Sequence, residues 1–127
     1  MFHYTVETSK TPEEAIAELT EHLKEDKFGV LWELDMKSKL HEKGVELDMA
    51  YHILEVCNPN EAKRVLSENI LVGYFLPCKI AVYEENGKTK IGMPKPTSLI
   101  SMIPTDKLMA IASDIENRLV ACIDKSR

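Results

Sequence analysis

Cysteine is scarce in this 127-residue chain. The three that occur, an odd number without close pairing, exclude a disulfide framework as the source of stability. Glycine is scarce as well. Five glycines, none at the spacing of a phosphate-cradling loop, exclude the usual nucleotide-binding turns. Basic residues are outnumbered, sixteen against twenty-one acidic. The resulting charge of -5 argues against a nucleic-acid binder, which needs a net basic face. The longest nearly apolar stretch, Ile70 to Cys78, is nine residues with Gly73 and Pro77 inside it, too short for a transmembrane helix. Met-Phe-His-Tyr at the start has neither the basic region nor the apolar run of a secretory signal. His-Glu-x-x-His, Cys-x-x-Cys and Gly-x-Ser-x-Gly are all missing, which excludes common enzyme classes in their usual forms.

What remains is ordinary globular material. At 44% hydrophobic and 29% charged residues, the chain can bury a core without staples, removing roughly two thirds of its unfolded surface from water. No internal repeat, low-complexity tract or linker divides it. The expectation is a single domain over residues 1–127, soluble and cytoplasmic.

His3–Thr8 alternates as a strand, with Tyr4 and Val6 on one side. Thr11, Pro12 and Glu14 then form a capping box with proline at the first helical position. Ile16, Leu19 and Leu23 follow at helical spacing, and the Glu- and Lys-rich remainder reads as a solvated face. Phe28–Met36 reads as a strand with Phe28, Val30, Trp32, Leu34 and Met36 on one face. Asp35 can cap a short helix stopped by Gly44. Tyr51–Cys57 is the next strand. Asn58-Pro59-Asn60-Glu61 repeats the cap pattern before a helix carrying Ala62, Val65 and Leu66.

Leu71–Leu76 follows, and after Pro77 comes the alternating segment Cys78–Glu84. Asn86-Gly87 predicts a tight hairpin returning through Thr89–Met93. Pro94, Pro96 and Pro104 bracket a helical turn over Ser98–Ile103, and a final helix starts near Thr105 or Asp106. Its stripe is Leu108, Ile111, Ala112, Ile115, Leu119 and Cys122. Strands between helices and then a hairpin favour an α+β domain. It would be an antiparallel-rich sheet of about five or six strands, two long helices on one face, and short extra helices. The uncovered face of such a sheet carries apolar residues, so a homodimer is expected.

Chemistry concentrates at strand ends. Cys57 directly precedes Asn58, the cap of a helix whose free N–H groups could stabilise a thiolate or hold an anion. The plainer reading is a small apolar filler. Cys78 lies at the start of a strand. If the strands of Cys57 and Cys78 are neighbours, the two sulfurs could face one pocket and bind zinc or copper(I), or form a redox disulfide. Cys78 alone reads as core, and so does Cys122. Glu33, Asp35, Glu55 and Glu84 are acidic residues within or ending strands, where carboxylates are depleted. Glu33 and Glu55 on one sheet face would make an acid/base pair or a cation site; the plainer reading is a solvated face. His52 alternates with Leu54 and Val56 as a core histidine, with a ligand role as the other reading.

Three of these segments carry a resemblance. Gly29–Met36 with Leu40 and Lys43, then Tyr51–Pro59, then Gly73–Glu84, are similar in order to three signatures of the DUF302 family. The resemblance implies a TBP-like α+β domain in single copy, built from a curved sheet and two long helices and often dimeric, with no established activity. Carried over by motif, its characteristic positions are Glu33, Asp35, Cys57, Asn58, Pro59, Pro77, Cys78 and Glu84. Trp32 departs from the pattern, where a smaller polar residue is more usual. A TBP-like fold on an acidic chain imports no DNA binding.

Three functions follow. The leading one is a homodimeric, non-enzymatic module holding a small ligand or soft metal (zinc or copper) near Cys57 and Cys78. Glu33, Asp35, Asn58 and Glu84 would line or order that site, and neither nucleic acid nor membrane would be a partner. The second is a thiol-dependent redox or sulfur-handling enzyme using Cys57, which requires a depressed thiol pKa. The third is a structural or interaction protein whose cysteines only pack.

Overall fold

The computed structural model describes residues 1–103 and 105–127. Its strands are β1 (His3–Thr8), β2 (Gly29–Asp35), β3 (Tyr51–Cys57), β4 (Cys78–Glu85) and β5 (Lys88–Pro94). Its helices are α1 (Pro12–Glu25), α2 (Met36–Glu42), α3 (Pro59–Glu68), α4 (Pro96–Ile100) and α5 (Asp106–Ser126). The strands form one open antiparallel sheet in the order β1-β5-β4-β3-β2, giving an α+β architecture.

Local chemistry fixes most boundaries. Thr11 Oγ1 accepts from the Glu14 N–H at 3.2 Å, and Glu14 Oε1 accepts from the Thr11 N–H at 3.0 Å. This closes the capping box that starts α1. Asp35 accepts from the Ser38 N–H and hydroxyl, both at 3.0 Å, and so caps α2. Asn86 and Gly87 both take positive φ, 53° and 78°, as a two-residue hairpin turn demands. Ile70–Phe75 is a 3-10 segment, and the strands among the described residues number five. Asn69 caps it, and Pro77 supplies no N–H to a sheet ladder. Pro104, expected to bracket the turn before α5, lies outside the described residues.

Leu54, Val56, Ile80, Val82, Ile91 and Met93 are buried from the central strands, and Ala15, Leu19 and Leu23 join them from α1. The α5 stripe is buried throughout, from Leu108 to Cys122. Each fully buried Leu or Ile contributes roughly 1.5–3 kcal/mol by leaving water. Helices α1 and α5 pack on each other, α1 also on β4 and β5, and α5 on β1. Arg118 holds α5 to the turn after α1, with Nε 3.1 Å from Asp26 and the guanidinium 5.0 Å over the Phe28 ring.

β2 corrects the expected alternation. A bulge between Val30 and Trp32 inserts Leu31, so Val30 faces Val56 while Trp32 faces Glu55 and Glu33 faces Leu54. Residues opposite one another share a sheet face. Trp32 therefore leaves the Val30 face and stands 55% exposed. Glu33 and Glu55 lie on opposite faces, which rules out the acid/base pair expected of them. An extra residue shifts every later side chain of the strand by one face, and nothing in a run of alternating letters marks where it occurs.

Candidate ligand-binding site

The described residues line an open-sided apolar cavity of about 260 Å³ at the end of the sheet where β4 begins and β5 ends. Met93 and Cys78 form its sheet wall, Val72 and Phe75 of the 3-10 segment its side, and Leu99 and Ile115 of α4 and α5 its roof. Apart from Lys79, every lining residue is apolar or a cysteine. The 3-10 segment is built to make this wall. Its period directs Val72 and Phe75 inward, while Ile70 and Tyr74 stand 80% and 84% exposed.

Cys78 is in this wall; Cys57 is not. Strands β3 and β4 are neighbours, but Cys78 stands opposite Val56. Alternation therefore directs Cys57 to the other sheet face, where it pairs with Gly29 of β2. Both thiols are free. Burial pushes the Cys57 thiol up. Burial, with a smaller contribution from Cys57, pushes Cys78 up to about 11. A thiolate role needs the opposite shift.

The helix start beside Cys57 is already occupied. Asn58 Oδ1 accepts from the N–H of Asn60 at 3.1 Å and of Glu61 at 3.3 Å, Pro59 has no N–H, and the Ala62 N–H bonds the Asn58 carbonyl at 2.9 Å. No donor of the first turn is left for a thiolate or an anion. Asn58, 6% exposed, is a structural cap.

The carboxylates are dispersed. Asp35 is held below the usual carboxylate range chiefly by the Ser38 N–H, so its first role is to cap α2. His52 faces Asp35 across the β2–β3 ladder, and its Nδ1 approaches Glu33 Oε2 at 3.3 Å. That approach lacks hydrogen-bond geometry and leaves the buried Nδ1 without a partner, unlike the satisfied core histidine expected there. Glu84 lies at the far end of β4, in a polar depression with Lys10, Lys88 and Arg127. Glu33, Asp35 and Glu84 are thus remote from the cavity lining, and Cys78 is the only expected site residue within it. Among the described residues, no group of three or more His, Cys, Asp or Glu side chains could hold a metal ion.

The family model described as a domain of unknown function, DUF302, matches residues 4–126. The chain belongs to the DUF302 family. It is similar over its whole length to an uncharacterized conserved DUF302 protein from Bacillus stearothermophilus known from a crystal structure. The identity is 58%, with 100% of this chain and 99% of that chain covered and a TM-score of 0.97. A search of curated proteins gave no match.

DUF302 signature segments supply Cys78 to the cavity wall, whereas Leu99, Ile115 and most of its other lining come from outside them. The α5 stripe did signal Ala112, Ile115 and Leu119 as apolar and inward. No sequence pattern says that the packing around them leaves a space.

Proposed function

We propose that this DUF302 protein is a cytoplasmic, homodimeric binding module without catalytic chemistry, holding a small apolar ligand in the cavity walled by Cys78. The observation that carries this reading is the cavity itself. An open-sided apolar hollow of about 260 Å³ is close in size to ordinary small-molecule sites. The raised thiols count against the redox alternative, and the direction of Cys57 and Cys78 to opposite sheet faces counts against a soft-metal pair. No helix among the described residues is long and apolar enough to cross a membrane.

The second copy belongs on the uncovered sheet face. There Tyr51 and Tyr83 stack with centroids 4.9 Å apart, beside Ile53, Ala81 and the exposed Trp32. The Lys79–Glu55 and Lys90–Glu85 pairs leave that face without a single charge sign, so two copies of it do not repel. A TBP-like arrangement, with α1 and α5 together on the other face, goes with this reading and is supported by their mutual packing.

Binding is tested by titrating decanol, a neutral apolar probe, and following thermal unfolding. A saturable rise in Tm supports the module; no rise with decanol removes it. Light scattering after size exclusion tests the dimer, with Ala81→Glu expected to give monomers.

A further inference from the structure

The cavity and the uncovered sheet face meet at one place. Lys79, Met93 and Pro94 line both the cavity and a shallower groove on that face, which also contains His3, Tyr51 and Tyr83. Lys79 is the one charged residue of the cavity lining, and it stands where the apolar hollow adjoins that more open groove. Its ammonium is half-exposed and neutralised by Glu55, with Nζ 3.2 Å from Oε1. An apolar cavity with a single cation at its rim fits an amphiphile with one anionic end.

We propose that the ligand is a medium-length monocarboxylate whose chain fills the cavity and whose carboxylate displaces Glu55 from Lys79. This rests on the apolar-cavity reading above and adds the chemistry of the ligand's head. A cavity of roughly 150 Å³ takes benzene, so about 260 Å³ takes about ten heavy atoms at the same packing. The chain therefore has about ten carbons, and longer acids leave part of their length outside. Glu55 acts as an internal competitor, occupying the ammonium when the site is empty.

The experiment compares decanoate with decanol by isothermal titration calorimetry, below the micellar range, on wild type, Lys79→Gln and Glu55→Gln. Both substituted side chains are on the sheet face opposite α1 and α5, and each variant is checked for unchanged folding by circular dichroism and for unchanged oligomeric state by light scattering. Lys79→Gln should lower the ratio of decanoate to decanol affinity about threefold, the factor of a half-exposed ion pair. Glu55→Gln should tighten decanoate by a similar factor, about threefold, by freeing the ammonium. Decanoate and decanol responding alike in both variants would overturn the carboxylate assignment while leaving the cavity reading intact. Binding of neither probe would overturn both.

Discussion

Ala112→Leu tests the cavity as a physical object. Ala112 is 2% exposed on α5 and lines the hollow. Leucine adds three carbons there, each worth about 0.8 kcal/mol when taken from water into apolar surroundings, or about 2.4 kcal/mol in all. Ordering the new side chain costs about 0.5–1 kcal/mol, and the helix-propensity difference is smaller. A net stabilisation of about 1.5 kcal/mol follows for ligand-free protein, which for a chain of this length raises Tm by about 4–6 °C. Urea unfolding should show a higher midpoint at an unchanged m-value, so that the gain belongs to the folded state. Decanol should no longer raise Tm, because the leucine occupies its place. Overpacking of a filled core costs about 1–3 kcal/mol instead. A variant less stable than wild type by 1 kcal/mol or more would therefore show that no usable space lies beside Ala112, and the reasoning would fail.

At pH 7.5, Cys78 should react with a disulfide reagent about tenfold more slowly than an ordinary thiol of pKa 9, because its pKa of about 11 leaves a hundredfold less thiolate, offset about tenfold by the greater nucleophilicity of that thiolate. Reaction at the rate of a free thiol would contradict its placement in the cavity wall. Asn58→Ala should cost about 1 kcal/mol in chemical denaturation by uncapping α3, and Cys57 should react no more slowly as a result. Asp35 has a folded-state pKa below its usual value, so its stabilising contribution is complete above the ordinary carboxylate range and lost as pH falls through the folded value. Asp35→Asn should flatten the acid limb of stability below about pH 4. An unchanged limb would show that the carboxylate does not couple to folding.

The parts of the fold legible in the residues are those fixed within a few positions of the chain. Thr11 with Glu14, Asn58 before Pro59, and Asn86-Gly87 each act on backbone groups at most three residues away. The α5 stripe reads correctly because a helix of 21 residues repeats its signal five times over. Leu31 escaped because a bulge is decided by pairing with β3, not by β2 alone. The apolar run Ile70–Phe75 carries neither a strand's nor an α-helix's period, because Asn69 and Pro77 bound a tighter helix. Of the candidate site, Cys78 and the inward α5 stripe of Ala112, Ile115 and Leu119 were legible. The hollow is lined by α3, the 3-10 segment, β4, β5, α4 and α5 together, and it is a property of the gaps between them.

The bulge in β2 has a further effect on how the molecule behaves in a crowd. β1 and β2 are the two borders of the sheet, and β2 presents the exposed Leu31 and Trp32 along its border. A straight apolar border strand is a template on which further chains can add and grow into fibres. The extra residue breaks the even spacing of free N–H and C=O groups and increases the local twist. Deleting Leu31 would make the strand regular, and in doing so would remove that guard against edge-to-edge pairing from the β2 border of the sheet.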